Sequence, residues 1–507
     1  MPSRRAVTFI AGTALIVAGA IPAIAGPLTT GPLVQVSGTS PFLDCTADAV
    51  EDQSGTVYLN SEVEPWIDVN PTDAGNVVGI WQADRWDNGG ARGLVAGVSQ
   101  DGGGTWQQVV IPDITLCSGG TYDRATDPWV SFGPDGRLHQ LALSFNDVAP
   151  PFEPRDFDHA LLASYSDDGG LTWTDPVEVI RDLDANVFND KQTITADPTD
   201  PDLVYAVWDR LVFPGSERAS VIAGFVTQAF TGPFWFARST DGGVTWEAPK
   251  EIYDPGMRDQ TIGNQIVVQP DGTLVNVFNE IRNDNRGGRR GNNVAVMISE
   301  DQGVTWSERI FVSRLGTIEI TDPDTGDPVR TGDIIPEVAV DRTTGALYAV
   351  WQDARFSGGQ FDSIAFSQSL DGGLTWSQPI KVNATPGTVP PGNQQAFTAS
   401  VHVADDGTVG VTYYDFRNNT PSPTTLPTDY WMVHSHPTTP TACASAANWG
   451  NEVRLTNTPF DMRQAPFALG FFVGDYEGLS NIGSDFTAFF SQSHGTDPAS
   501  TFFRTAG

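Results

Sequence analysis

The chain is poor in positive charge, histidine, cysteine and long apolar runs. Lys and Arg number 28 against 62 Asp and Glu, a formal net charge of −34 over 507 residues. A surface this acidic repels nucleic acid and anionic membranes, so neither is expected as a partner. The acidity reads as a solubilising surface, and an anionic ligand would need a local cluster of arginines. The six histidines are scattered and read as structural, and no Cys/His spacing suits a zinc site, so no metal is assigned. The three cysteines, Cys45, Cys117 and Cys443, allow one disulfide with three pairings. Cys45–Cys117 is preferred, because both lie in segments that lead into neighbouring repeats. The single long apolar run, Ala6 to Ile21, follows Arg4-Arg5 and precedes Ala23-Ile24-Ala25. That pattern is a secretory signal peptide over residues 1–25, too short and wrongly flanked for a membrane span. The paired arginines leave a twin-arginine export route open. No membrane insertion is expected. The expected protein is secreted, extracellular and monomeric.

Helical periodicity is also nearly missing, and a repeat takes its place. Ser369 to Trp376 reads SLDGGLTW. Four near-copies start at Ser99, Ser166, Ser239 and Ser299, and all five fit S-x-D-x-G-x-T-W. Each sits in a longer unit of about 60 to 78 residues. Pro336 to Val382 shows the pattern: PEVAV, a turn, ALYAVWQDAR, a loop, SIAFSQS, the octapeptide, then SQPIKV. That is four short strands and three turns. Corresponding second strands begin near Asn76, Arg137, Leu203, Thr273, Ala346, Thr408 and Asp485. Radially repeated four-stranded sheets make a β-propeller, since one such sheet cannot bury both its faces and a ring of them can. The sixth unit has lost its octapeptide, though Trp449 followed by NEVRLTN resembles the box tryptophan and a fourth strand. The last unit ends after its third strand, while Leu33 to Ser37 looks like a fourth. The expected fold is all-β: a propeller of four-stranded blades, seven if the N-terminal strand closes the ring, six as the alternative. Residues 26–64 form the closing strand and lead-in, and 65–507 the propeller.

The octapeptide resembles the Asp-box of the sialidase superfamily. The resemblance implies a propeller with a glycan-acting face. In exo-sialidases it implies a tyrosine nucleophile, a glutamate that activates it, an aspartic acid donor and three arginines that hold the substrate carboxylate. Similar boxes occur in seven-bladed polysaccharide hydrolases and in non-catalytic propellers. The Phe-Arg-Ile-Pro segment of sialidases has no counterpart here, because the first strands begin Glu64-Pro65-Trp66 and Asp127-Pro128-Trp129.

The box itself reads as a fold device. Its Ser and Asp suit turn N–H groups, its Gly suits positive φ, and a reaction needs its site once rather than in every blade. The opposite face, where second strands end and first strands begin, is where chemistry is expected. Several second strands end in an acid–arginine pair, including Glu280 with Arg282, Asp353 with Arg355 and Asp415 with Arg417. These are either ion pairs within the fold or a clamp for a carboxylate. Arg282 to Arg290 holds four arginines, Arg286 among them, and suits an anion trap or a solvated loop. The segment Gly474-Asp475-Tyr476-Glu477 resembles the late sialidase segment that carries the nucleophile. A phenol of pKa about 10 needs a base to attack, and Glu337 is the candidate base, with Asp127 as the acid. Arg282, Arg286, Arg355 and Arg417 are candidate substrate ligands, and Trp66 and Trp129 candidate sugar-stacking rings. Thr321 to Asp333 reads TDPDTGDPVRTGD, a hairpin that could hold a structural calcium; no other cofactor is implied. The expected function is a secreted sialidase-like glycoside hydrolase for an acidic glycan, exo-sialidase first. Alternatives are a non-catalytic extracellular propeller that binds glycan or protein, and a seven-bladed lyase or hydrolase of other specificity.

Overall fold

The computed structural model describes residues 27–147, 158–184, 186–213, 231–283, 288–422, 424–437 and 439–507. The proposed signal peptide lies outside them. The described chain is β-structure with short 3₁₀ turns. Four strands in sequence form each antiparallel sheet. The first comprises Glu62–Val69, Val77–Arg85, Ala91–Ser99 and Gln107–Val110. The same order recurs in sheets that start at Arg124, Val187, Gln260, Glu337 and Ala396. Gly478–Ile482, Asp485–His494 and Asp497–Ala506 supply three strands of the last sheet, and Val34–Gln35 adds the fourth. Val34 pairs with Phe503 and Gln35 with Phe502, so the two ends of the described chain share a sheet. In the sixth sheet Gly450–Arg454 is the fourth strand, and Trp449 donates from Nε1 to Cys443 O at 2.9 Å.

Each sheet's first strand packs on the next sheet's first strand, and Gly478–Ile482 packs back on Glu62–Val69. Second strands are buried along almost their whole length, as Val77–Arg85 shows, because neighbouring sheets cover both faces. The apolar clusters accordingly lie between sheets; one joins Trp129, Leu141 and Leu161 to Ile194, Val204 and Trp208.

All five octapeptides make the same turn. In the first, Asp101 accepts from Thr105 N and Thr105 Oγ1, both at 2.8 Å, and Ser99 Oγ accepts from Gly103 N at 2.8 Å. In the last, Asp371, Thr375, Ser369 and Gly373 repeat these bonds. The fourth copy has Gln302 where the others have glycine, and it takes φ +60°.

Cys45 and Cys117 form the disulfide, which closes a separation of 72 residues, and Cys443 is a buried free thiol. The bridge fixes the lead-in against the first sheet. There the buried Arg92 donates to Asp48 at 2.6 Å and to the carbonyls of Phe42 and Cys45 at 2.7 Å.

Candidate active site

Five of the first strands slip register at the same place, near their start. The slips fall between Val63 and Trp66, Thr126 and Trp129, Asp190 and Thr193, Ile262 and Gln265, and Phe397 and Ser400. Each bulge contains a residue of positive φ: Glu64 (+52°), Asp127 (+51°), Lys191 (+50°), Gly263 (+69°) and Thr398 (+45°). In the first two sheets the next residue is Pro65 or Pro128, which has no N–H for the ladder, so the chain leaves register there. Where the bulge frees an N–H, the preceding sheet takes it: Gly263 N donates to Asp209 Oδ2 and Thr398 N to Gln352 Oε1, both at 2.9 Å. Left-handed backbone costs a non-glycine residue roughly 1–2 kcal/mol. Such strain persists where the surrounding structure enforces it, and a bulge re-aims a side chain. Here it turns three charged side chains toward one another.

Lys191 is the centre of that group. Its Nζ donates to Asp127 Oδ1 at 2.6 Å, Asp475 Oδ2 at 2.8 Å and Glu64 Oε1 at 3.0 Å. All four side chains are buried. Arg330 adds a second cation, donating to Asp475 from Nε at 3.0 Å and also from Nη2. Burial works against charge on Lys191, but Asp127, Asp475 and Glu64 outweigh it and hold the ammonium well above its usual range. Burial opposes the Asp475 charge too, yet Arg330 and Lys191 hold that carboxyl well below its usual range. Glu64 goes the other way: burial pushes it up to about 8 against the pull of Lys191.

A small pocket opens beside this cluster. Asp127, Trp129, Lys191, Glu337 and Tyr476 line it together. The three catalytic candidates of the sequence therefore meet at one place. Glu337 is 5% exposed, and its Oε1 has no hydrogen-bond partner among the described residues. Burial pushes its carboxyl up to about 8, against the pull of the Ser400 hydroxyl and the Val401 N–H. Tyr476 is buried, and its hydroxyl donates to Pro128 O at 3.2 Å. Burial first, then the charges of Glu64 and Asp127, push the phenol well above its usual value. A phenol so placed is less acidic than in water and poorly suited to attack. Trp66 and Trp129 stack on each other with centroids 3.4 Å apart, and both meet Tyr476 edge-on.

The candidate arginines lie elsewhere. Arg355 pairs with Asp353 at 2.6 Å, and Arg417 with Asp415 at 2.6 Å and with Glu452. Arg282 stands 3.5 Å from Glu280 and 3.7 Å from Asp259. Each is held by carboxylates of its own sheet or of the segment leading into it. Arg286 lies outside the described residues. Thr321 to Asp333 does form a hairpin turn, and its Asp322 accepts from Arg463 at 2.6 and 3.0 Å.

Sequence reasoning does not reach Lys191, Glu64, Asp475 or Arg330 as a group. The available signal is alignment: Glu64, Asp127 and Lys191 hold the same position in their strands, two residues before Trp66, Trp129 and Thr193.

The chain matches no protein-family model. Similar solved structures include a Hadza microbial sialidase, at 19% identity and TM-score 0.41 over 70% of this chain. The chain spans 64% of that sialidase's length. A Dyadobacter fermentans protein of unknown function is similar over 90% of this chain and 98% of its own, at 13% identity and TM-score 0.46. A Penicillium chrysogenum α-L-arabinanase is similar over 76% of this chain and 94% of its own, at 14% identity and TM-score 0.45.

Proposed function

We propose that the protein is a secreted glycoside hydrolase built on a seven-bladed β-propeller, with Glu337 and Asp127 as its acid–base pair. One observation carries the reading. Two carboxyl groups share a pocket, Asp127 bonded to Lys191 and Glu337 with no hydrogen-bond partner at Oε1 among the described residues. Glu337, pushed up to about 8, holds a proton at neutral pH and suits a general acid. Asp127, held by Lys191 at 2.6 Å, suits the base or nucleophile of a two-carboxylate mechanism. The protonated Tyr476, bonded to Pro128 O, supports the carboxyl pair over a phenolate. The propeller reading is supported by the four-stranded sheets and by the packing of the last first strand on the first.

A panel of fluorogenic glycosides, sialosides and arabinofuranosides included, tests the activity. Release that disappears in Glu337→Gln and Asp127→Asn supports it, and no release from any substrate removes it. Secretion is tested by N-terminal sequencing of exported protein, which should begin after Ala25. A second reading, an extracellular glycan-binding propeller without catalysis, is favoured by the pairing of Arg355 and Arg417 with nearby carboxylates. Under it the panel stays silent while glycan binding is measurable.

A further inference from the structure

Two connections between sheets cross beside the central cluster. One precedes Glu337–Val340 and carries Val329–Arg330; the other precedes Gly478–Ile482 and carries Phe471–Phe472. These two short strands pair in parallel, Val329 with Phe471 and Arg330 with Phe472. Arg463 clamps the crossing through Asp322, and Gln395 holds both the N–H and the carbonyl of Thr321, at 3.0 and 2.7 Å. The chains pass so closely that a Cβ on Gly332 would lie 2.2 Å from Asp475 O. This strap brings Arg330 to Asp475.

A second, wider pocket lies against the strap. Its lining includes Lys191, Glu319, Arg330, Asp333, Leu469 and Asp475. Lys191 also lines the inner pocket, so the two share it. Leu469 is 53% exposed at φ +66°, an uncommon conformation for a bulky side chain. An apolar side chain thus stands in solvent beside convergent polar groups, the composition of a small-molecule site.

Its charge separates the ligand classes. Lys191 and Arg330 are the cations of its lining. Glu319, Asp333 and Asp475 line it with them, and Glu64 and Asp127 also pair with Lys191. Two cations therefore meet five carboxyl groups. Burial pushes Glu64 up to about 8 and Asp333 up to about 6. With both of those protonated, three carboxyl groups still oppose two cations. An anionic sugar entering here meets net repulsion, and the cations are already bound to protein carboxylates.

We infer that the strap pocket is a subsite for an uncharged sugar residue and rejects sialic and uronic acids. Glu319 and Asp333 accept hydroxyl hydrogens from the sugar, and Leu469 covers a C–H face. The inference rests on the glycan-acting reading above for its ligand class and narrows that class to neutral sugars.

The test is binding, read separately from cleavage. The purified protein is applied to a printed array of neutral arabino-, galacto- and gluco-oligosaccharides beside sialylated and uronate-terminated ones. Neutral binding is expected, with no acidic binding. Both Leu469 and Glu319 are exposed, so their variants should fold. Leu469→Ala should weaken the neutral ligand by about 5- to 10-fold. Glu319→Lys should bring the acidic signal to about 10-fold above background. Acidic binding by the unaltered protein, no neutral binding at all, or no response to either substitution overturns the inference. Neutral binding without release from any glycoside keeps the subsite and removes the hydrolase.

Discussion

The two faces of the molecule follow opposite rules. On one, five octapeptide turns repeat the same bonds between Ser, Asp, Thr and Gly, down to the same atoms. On the other, the repeated element is a backbone bulge, and its side chains differ from sheet to sheet: Glu64, Asp127, Lys191, Gly263 and Thr398. The first face repeats side chains to hold a turn. The second repeats a backbone distortion and varies the side chain it presents. The recurring motif therefore belongs to the scaffold, and the positions where the repeat diverges carry the candidate site. Asp371 satisfies its own turn, whereas Lys191 spends its bonds on carboxylates from three other parts of the chain.

If this contrast is right, substitutions at the bulge face should affect activity far more than those at the turns. Glu337→Gln is the sharpest case. It keeps size and removes the proton, so release of the fluorogenic product should fall by about 10²–10⁴-fold while the thermal midpoint stays near the original. The same variant carries a pH signature. The native protein holds the Glu337 proton up to about 8, whereas an ordinary glutamate loses it near 4.5. The group's contribution to stability is therefore present below 4.5 and declines as pH rises toward about 8. Activity that needs this acid should fall over the upper part of that window. Urea midpoints across it should slope downward in the original protein and less steeply in Glu337→Gln. Equal slopes would detach the proton from Glu337.

Lys191→Met addresses the centre of the cluster. It leaves Asp475 its pair with Arg330 and takes the ammonium away from Glu64 and Asp127, and removing one partner of a buried ionic group costs about 3–5 kcal/mol. A calorimetric melt reads the loss, and adding Glu64→Gln should restore part of it. A melt unchanged by Lys191→Met would mean that the cluster adds nothing to the fold. Reducing Cys45–Cys117 acts on the lead-in and should lower stability by about 2–5 kcal/mol. Because that bridge lies on the first sheet, catalysis per folded molecule should persist.

Much of the fold is legible because its signals are local and repeated. Strand runs and turn residues recur in every unit and the octapeptide in five of them, and the pairing of Val34 with Phe503 follows from a fourth strand missing at one end and present at the other. The Cys45–Cys117 bridge follows from the same register. The site is legible in part. Asp127, Glu337 and Tyr476 belong to segments at the starts of first strands, and that placement brings them to one pocket. Lys191 is harder to read, because a lysine in VFNDKQTITA looks like a solvated strand residue until the bulge is known. Arg330 arrives on an insertion with no counterpart in the repeat. The acid–arginine pairs mislead for an instructive reason: each arginine follows its acid by two residues, close enough for the two to bind each other, as Asp353 and Arg355 do.

The smallest effect belongs to the most recognisable motif. Asp371→Ala removes an acceptor that holds Thr375 N at 2.8 Å, Thr375 Oγ1 at 2.6 Å and Ser369 Oγ at 2.9 Å. These bonds are at the surface, where water replaces much of what is lost, so the cost should be about 1 kcal/mol. The other copies remain intact, but Asn76 bonds both Ser99 O and Gly169 O, and Arg137 both Asp167 and Gly242 O, so further Asp→Ala changes should add nearly independently only in boxes that are not neighbours. A urea series with one, two and three boxes altered reads this directly. Near-equal steps at constant specific activity fit a turn that serves only its own sheet. A drop in activity at the first substitution would place the octapeptide back in the site and remove the contrast between the two faces.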